Sequence, residues 1–181
     1  MATTYHTQLQ QLYVAYFNRP ADFAGLNYWE GILEGNGGNT AVVSAAFAGS
    51  AEYMTEYAGM GNADKINQIY INLFGRAAEP SGLAYWAKLL DDKVITVDNA
   101  VNEIAKAAQG TDDVAFKAKV TVASAFTNAL NTPAEQAGYS GELANDAAKA
   151  LLATIKTAAD ATKAVVPAAL DASVVAVVKA A

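Results

Sequence analysis

Cysteine is absent and histidine occurs once, at His6. These two scarcities exclude disulfides, thiolate metal sites and thiol nucleophiles, and with them histidine-based triads and multi-histidine metal centres. A cysteine-free chain suits either a reducing compartment or an extracellular protein that dispenses with bridges. Positive charge is also scarce. Twelve Lys and Arg stand against 18 Asp and Glu, a net charge of −6, and without a basic cluster to hold phosphates the sequence argues against nucleic-acid binding. No long apolar run occurs: the stretch Val165–Val178 is interrupted by Pro167 and Asp171, so no transmembrane segment is expected. The first eight residues carry neither a basic region nor an apolar core, unlike an amino-terminal signal peptide. A secreted protein with this start needs an export route that reads another part of the chain. The glycine run Gly35–Gly38 lacks a following Lys-Ser or Lys-Thr, and no calcium-loop pattern of spaced Asp and Asn ending in Glu is found.

What is abundant is alanine, within a composition that is 53% apolar and 17% charged. With Leu, Gln, Lys and Glu it favours helix. The chain carries a repeat. Arg19-Pro20-Ala21-Asp22 followed by Gly25-Leu26-Asn27-Tyr28-Trp29 returns as Arg76-Ala77-Ala78-Glu79 followed by Gly82-Leu83-Ala84-Tyr85-Trp86, at an offset of 57 residues. Tyr13 and Phe17 fall on Tyr70 and Phe74 at the same offset. A repeat of this length is one supersecondary unit that buries its apolar face against a neighbour.

Helical stripes and caps can be read in order. The first runs from Thr4 to Asn18 and stops before Pro20. Asp22 caps the second, which runs to about Leu33; Glu79-Pro80 takes that place in the second copy. Asn39 or Thr40 caps a third helix, Ser50 a short fourth one closed by Gly59 and Gly61, and Thr96 a helix ending before Gly110. A long helix spans Thr111 to Leu130. Thr132-Pro133-Ala134-Glu135 reads as a capping box, and later breaks fall at Gly138–Gly141 and Pro167. No alternating strand pattern occurs. The expectation is an all-α helical bundle of eight or nine helices: two tandem helical repeats, residues 1–61 and 62–110, then an Ala-rich helical segment, 111–181, packed with them as one domain. From Gly141 onward there is no aromatic residue, and the chain stops after Val177-Val178-Lys179 without a polar terminator, the texture of a longer protein's cut end.

Enzyme readings are poor. His6 has no adjacent candidate nucleophile. Asp91-Asp92 and Asp112-Asp113 sit at expected helix ends, where acids are ordinary solvated groups. A carboxylate-based glycosidase would need two acids converging in a pocket. Arg19 with Asp22, and Arg76 with Glu79, read first as a cap and its ion pair, and second as a polar notch for a hydroxylated ligand. Tyr28-Trp29 and Tyr85-Trp86 lie about 100° apart on their helices. Trp29 shares a face with Leu26, Ile32 and Leu33 and is expected in the core, while Tyr28 keeps its hydroxyl near water. Exposed aromatic faces beside Asn and Asp suit sugars, and equally suit packing.

Leu12–Asp22 and Gly25–Trp29, continued by Ser44–Tyr53, resemble a repeat domain of uncharacterised function common in large bacterial exported proteins, including calcium-binding RTX-type and S-layer proteins of Gram-negative bacteria. The resemblance is specific over Leu9–Tyr57 and looser over Ile66–Ala108, where Ala77 replaces the proline and Glu79 the aspartate. It implies an S-layer anchoring domain of a protein exported by type I secretion to the outer cell surface. In the best-understood members that the chain resembles, such a helical part anchors the lattice of neighbouring copies to lipopolysaccharide O-antigen, while a calcium-rich β region elsewhere in the full-length protein forms the lattice. The expectation is therefore a non-enzymatic domain without a cofactor or metal of its own, binding lipopolysaccharide or another surface polysaccharide through Arg19, Asp22, Asn27 and Tyr28, with Arg76 and Tyr85 in the second copy. The rival is a protein–protein module in a large type I secreted RTX-type protein.

Overall fold

The computed structural model describes residues 4–181, so the first three residues of the 1–61 repeat lie outside the described residues. Among the described residues there are twelve helices and no strand, an all-α bundle. The helices exceed the expected eight or nine because the chain is cut more often than its glycines and prolines announce.

The repeat carries through to the backbone layout. α1 (His6–Phe17), α2 (Phe23–Gly35) and α3 (Ala41–Ala48) return, at the same 57-residue offset but for a residue or two at their ends, as α5 (Asn62–Phe74), α6 (Pro80–Asp91) and α7 (Val97–Ala107). Both copies turn out of their first helix by a residue at positive φ: Asn18 at 50° and Gly75 at 70°. Asparagine and glycine tolerate this left-handed conformation best. Each copy then ties down the following loop from its first helix. Gln10 Oε1 accepts the Ala21 N–H at 3.0 Å, and Asn67 Oδ1 accepts the Ala78 N–H at 3.1 Å, a correspondence hidden in sequence by the Gln–Asn difference.

The caps follow the sequence in the first copy and diverge in the second. Asp22 accepts the Gly25 N–H at 2.7 Å. Ser50 caps α4 (Ala51–Glu56) through the Tyr53 N–H at 3.2 Å. Asn39, not Thr40, accepts the Ala41 N–H at 3.1 Å. Glu79 and Thr96 stand at N-cap positions without making the side-chain cap bond; the longer Glu79 side chain reaches Arg76 instead.

The two first helices, α1 and α5, pack side by side, and α8 (Thr111–Ala129) packs on both. Leu9, Val14, Tyr16, Ile66, Ile69, Leu73, Val122 and Ala123 are fully buried where these helices meet. Burying a Leu, Ile or Val side chain stabilises by roughly 1.5–3 kcal/mol each. Beyond α8 come α9 (Pro133–Gly138), α10 (Glu142–Ala153), α11 (Ala158–Ala164) and α12 (Pro167–Ala180). α10 and α12 pack on each other around Ala144, Ala148, Val174 and Val177. Leu151 borders both this cluster and the main core. Two capping boxes organise the segment, the expected one at Thr132/Glu135 and a second at Thr157/Asp160. Among the described residues no single helix is long and apolar enough to cross a membrane; α11 and α12 together would suffice by composition, but they are bent by 78°.

Candidate functional site

The two Arg motifs share a sequence pattern and differ in environment. In the first copy the Arg19 side chain is 7% exposed. It forms a two-point pair with Glu52, Nε to Oε1 at 2.9 Å and Nη2 to Oε2 at 2.8 Å, and also donates to the Pro20 carbonyl at 3.2 Å. Asp22 lies further off, at 3.6 Å. The guanidinium lies over the rings of Tyr13 and Phe17, 5.2 and 5.5 Å from their centroids, with Tyr139 at 5.9 Å. Burial works against the charge of Arg19, and the bond to Glu52 with the neighbouring groups outweighs it, holding the guanidinium above its ordinary value. Tyr139 donates to the Pro20 carbonyl at 2.6 Å, and burial pushes its hydroxyl up to about 12 against the pull of Arg19. Arg19 therefore holds the fold: of the six residues expected to contact sugar, it is one whose guanidinium is buried against Glu52, Pro20 and the surrounding rings. Asp22 spends its carboxylate on the cap of α2.

In the second copy the same position is open. The Arg76 side chain is 42% exposed. It pairs with Asp112 at the start of α8, at 2.8 and 2.6 Å, and with Glu79 at 2.9 Å, and donates to the Ala77 carbonyl at 2.8 Å. Its guanidinium lies over Tyr70 at 5.4 Å, as Arg19 lies over Tyr13. Beside it is a notch of about 230 Å³ lined by Tyr70, Phe74 and Trp86 together with Glu79, Gln109 and Asp112. Desolvation raises the Tyr70 hydroxyl above its ordinary value, with Glu79 adding to the shift and a bond from Trp86 opposing it. Bonds from its own backbone and from Arg76 hold the Glu79 carboxylate below the ordinary range. Aromatic rings and carboxylate oxygens thus line one cavity, the two kinds of group that a hydroxylated ring uses.

Tyr28 and Tyr85 are 61% and 59% exposed, each set edge-on to its neighbouring tryptophan at 4.9 and 5.0 Å. Trp29 is only half-buried and packs on Phe47, a shallower seat than the core position expected. Asn27 donates one amide hydrogen to the Phe23 carbonyl at 2.8 Å, which leaves its second amide hydrogen and its carbonyl oxygen for another partner. The structure thus brings Arg76, Glu79 and Asp112 together, leaves Tyr85 exposed beside Trp86 and outside the notch's lining, and leaves Tyr28 exposed on the other copy. His6 stands against the Glu30 carboxylate in the first turn of α1.

Glu52, Tyr139 and Asp112 were not among the residues expected to contact these motifs. Glu52 lies inside the recognisable Ser50-Ala51-Glu52-Tyr53 stretch, so a signal existed. Tyr139 and Asp112 reach the motifs only through tertiary packing. A separate groove of about 390 Å³ between α4 and α10 is lined by Glu52, Glu56, Glu142 and Asp146, with Lys149 bonded to Glu56 at 3.0 Å. Among the described residues no group of three or more acidic or histidine side chains is arranged to hold a metal ion.

No curated protein and no solved structure gives a significant match to the chain. A family model does match, twice and with overlap, over residues 2–57 and 44–112. Those matches cover both copies of the Arg/Tyr-Trp motif, their flanking helices and more than half of the chain, and they end as α8 begins. On that extent the chain belongs to the family described as domain of unknown function DUF4214.

Proposed function

We propose that this chain is a non-enzymatic cell-surface anchoring domain of an S-layer-type protein, binding lipopolysaccharide O-antigen or a related surface polysaccharide. The observation that carries this reading is the second-copy notch, lined by Tyr70, Phe74 and Trp86 together with Glu79 and Asp112. Stacking of a sugar's C–H face on aromatic rings, with hydroxyls donated to carboxylates, needs both parts in one place. Tyr85, exposed beside Trp86, extends the same surface. Tyr28 offers a second aromatic contact on the first copy. Weak individual sites suffice in a lattice, since multivalent avidity exceeds single-site affinity by about 10² or more.

The test is co-sedimentation with lipopolysaccharide from the source organism, beside the same material lacking O-antigen, with and without calcium. Binding that requires the O-antigen supports the anchor. Absence of binding to both preparations, under both ion conditions, overturns it.

A second reading, a protein–protein module within a large type I secreted RTX-type protein or between neighbouring copies, draws on Leu143, Val166 and Val175. These are 67%, 50% and 46% exposed on the Ala-rich segment. It requires concentration-dependent association without glycan, measured by sedimentation velocity.

A further inference from the structure

The two copies differ at one packing position with a chemical consequence. In the first copy the Phe47 ring is inserted among Tyr13, Phe17 and Trp29, at centroid distances of 4.8, 4.9 and 5.5 Å. At the 57-residue offset the three rings become Tyr70, Phe74 and Trp86, and Phe47 becomes Ile104. Ile104 is itself buried, 2% exposed, and lines the notch that opens against those three rings. Its shorter, non-planar side chain does not supply the missing ring. At about 230 Å³ the space is smaller than the roughly 300–1,000 Å³ of a drug-sized pocket, and suits one ring.

The rim fixes the charge of that ring. Glu79 and Asp112 bring two carboxylates, against the single guanidinium of Arg76. Arg76 already spends its Nε and Nη2 on Asp112, and its Nη1 on Glu79 and the Ala77 carbonyl. An entering carboxylate would meet two like charges and an arginine with four of its five N–H donors already engaged. A hydroxyl or ammonium would meet acceptors. Resting on the polysaccharide reading above, we infer that the second-copy notch is a subsite for a single non-anionic sugar ring, neutral or amino, that discriminates against uronic acids, while the first copy is the same site filled by its own Phe47.

The full chain is applied to a printed array of neutral, amino and uronic-acid oligosaccharides, with Ile104→Phe and Glu79→Gln variants alongside. Wild type should be retained on neutral or amino glycans at least tenfold over uronic ones. Ile104→Phe, which rebuilds the first copy's filled arrangement, should lose at least tenfold of that retention while its urea midpoint is unchanged or higher. Glu79→Gln, at an exposed position, should narrow the gap to uronic glycans several-fold. Equal retention of uronic glycans, retention on none, or unaltered retention by a folded Ile104→Phe would overturn the subsite. If Ile104→Phe unfolds, an unchanged gap in Glu79→Gln does so. Outcomes for the two readings separate. O-antigen binding that persists in Ile104→Phe leaves the anchor and removes the subsite. Array binding without O-antigen binding does the reverse.

Discussion

A single arginine can hold a fold or stand at a surface, and the two copies place it in both situations. Removing one partner of a buried charge pair leaves the other charge without compensation and costs about 3–5 kcal/mol, whereas exposed pairs contribute about 1 kcal/mol or less. Glu52→Ala, which strands Arg19, should therefore lower stability by about 3 kcal/mol, and Arg76→Ala by about 1 kcal/mol or less. Urea denaturation of the two variants checks the contrast; equal losses would contradict it. A second buried cation offers a pH test. Lys119 is fully buried on α8 and donates to Asn18 Oδ1 at 2.8 Å and to the Ile71 and Asn72 carbonyls at 3.2 and 2.6 Å. Burial, with repulsion from Lys156, pushes its ammonium down to about 7, outweighing the three acceptors. The unfolded chain keeps this lysine protonated to its ordinary value, 10.5, so between about pH 7 and 10.5 unfolding takes up a proton. Stability through Lys119 must then rise with pH across that window, by at most about 1.4 kcal/mol per unit, and stay flat below it, where both states are charged. Between pH 7.5 and 9.5 the stability of wild type relative to Lys119→Met should move in favour of wild type. A flat difference across that range would mean that the acceptors keep the amine charged.

At the scale of an element, a glycine follows the join between the first two helices in each copy, and the two copies depend on it differently. A Cβ on Gly25 would run into the Tyr13 hydroxyl and the Asp22 carboxylate. Tyr13 is buried and Asp22 is tied to the Gly25 N–H, so neither can retreat. Gly25→Ala should cost about 1–3 kcal/mol, as overpacking typically does. A Cβ on Gly82 meets chiefly Glu79 Oε1, at 2.5 Å, and the exposed Glu79 can swing away, so Gly82→Ala should cost about 0.5 kcal/mol or less; paired chemical denaturation curves measure the difference. The helices themselves were readable wherever a cap or breaker marks them: Asp22, Ser50, Thr132, Pro167. The break between α10 and α11 was not, because Thr157 and Asp160 form their capping box inside an Ala-rich run without glycine or proline. The exposure of Tyr28 and Tyr85 followed from helical spacing. The notch did not, since it depends on Asp112 arriving from α8 and on the space beside Ile104, and neither is visible within one copy's motif.

For the whole molecule the two repeats are incomplete without the helices beyond them. α8 lies against α1 and α5 and sends Lys119 to the ends of both. Thr127 donates to the Ala21 carbonyl at 2.6 Å and accepts from Gln10 at 2.8 Å, and Tyr139 closes over Pro20 and Arg19. Asp112 supplies one wall of the notch. A fragment of residues 1–110 would thus expose the buried faces of Leu9, Ile66, Ile69 and Leu73, and leave Arg19, Gln10 and the Ala21 carbonyl short of partners. A repeat unit cannot bury its apolar face alone, and here the covering element is the long helix beyond the family match. The 1–110 fragment should therefore melt broadly and bind a hydrophobic dye, whereas the full chain unfolds in one sharp transition followed alike by far-ultraviolet circular dichroism and tryptophan fluorescence. A sharp, dye-free transition for the fragment would show that α1 to α7 close their own core, and would make α8 an accessory to the notch, not its foundation.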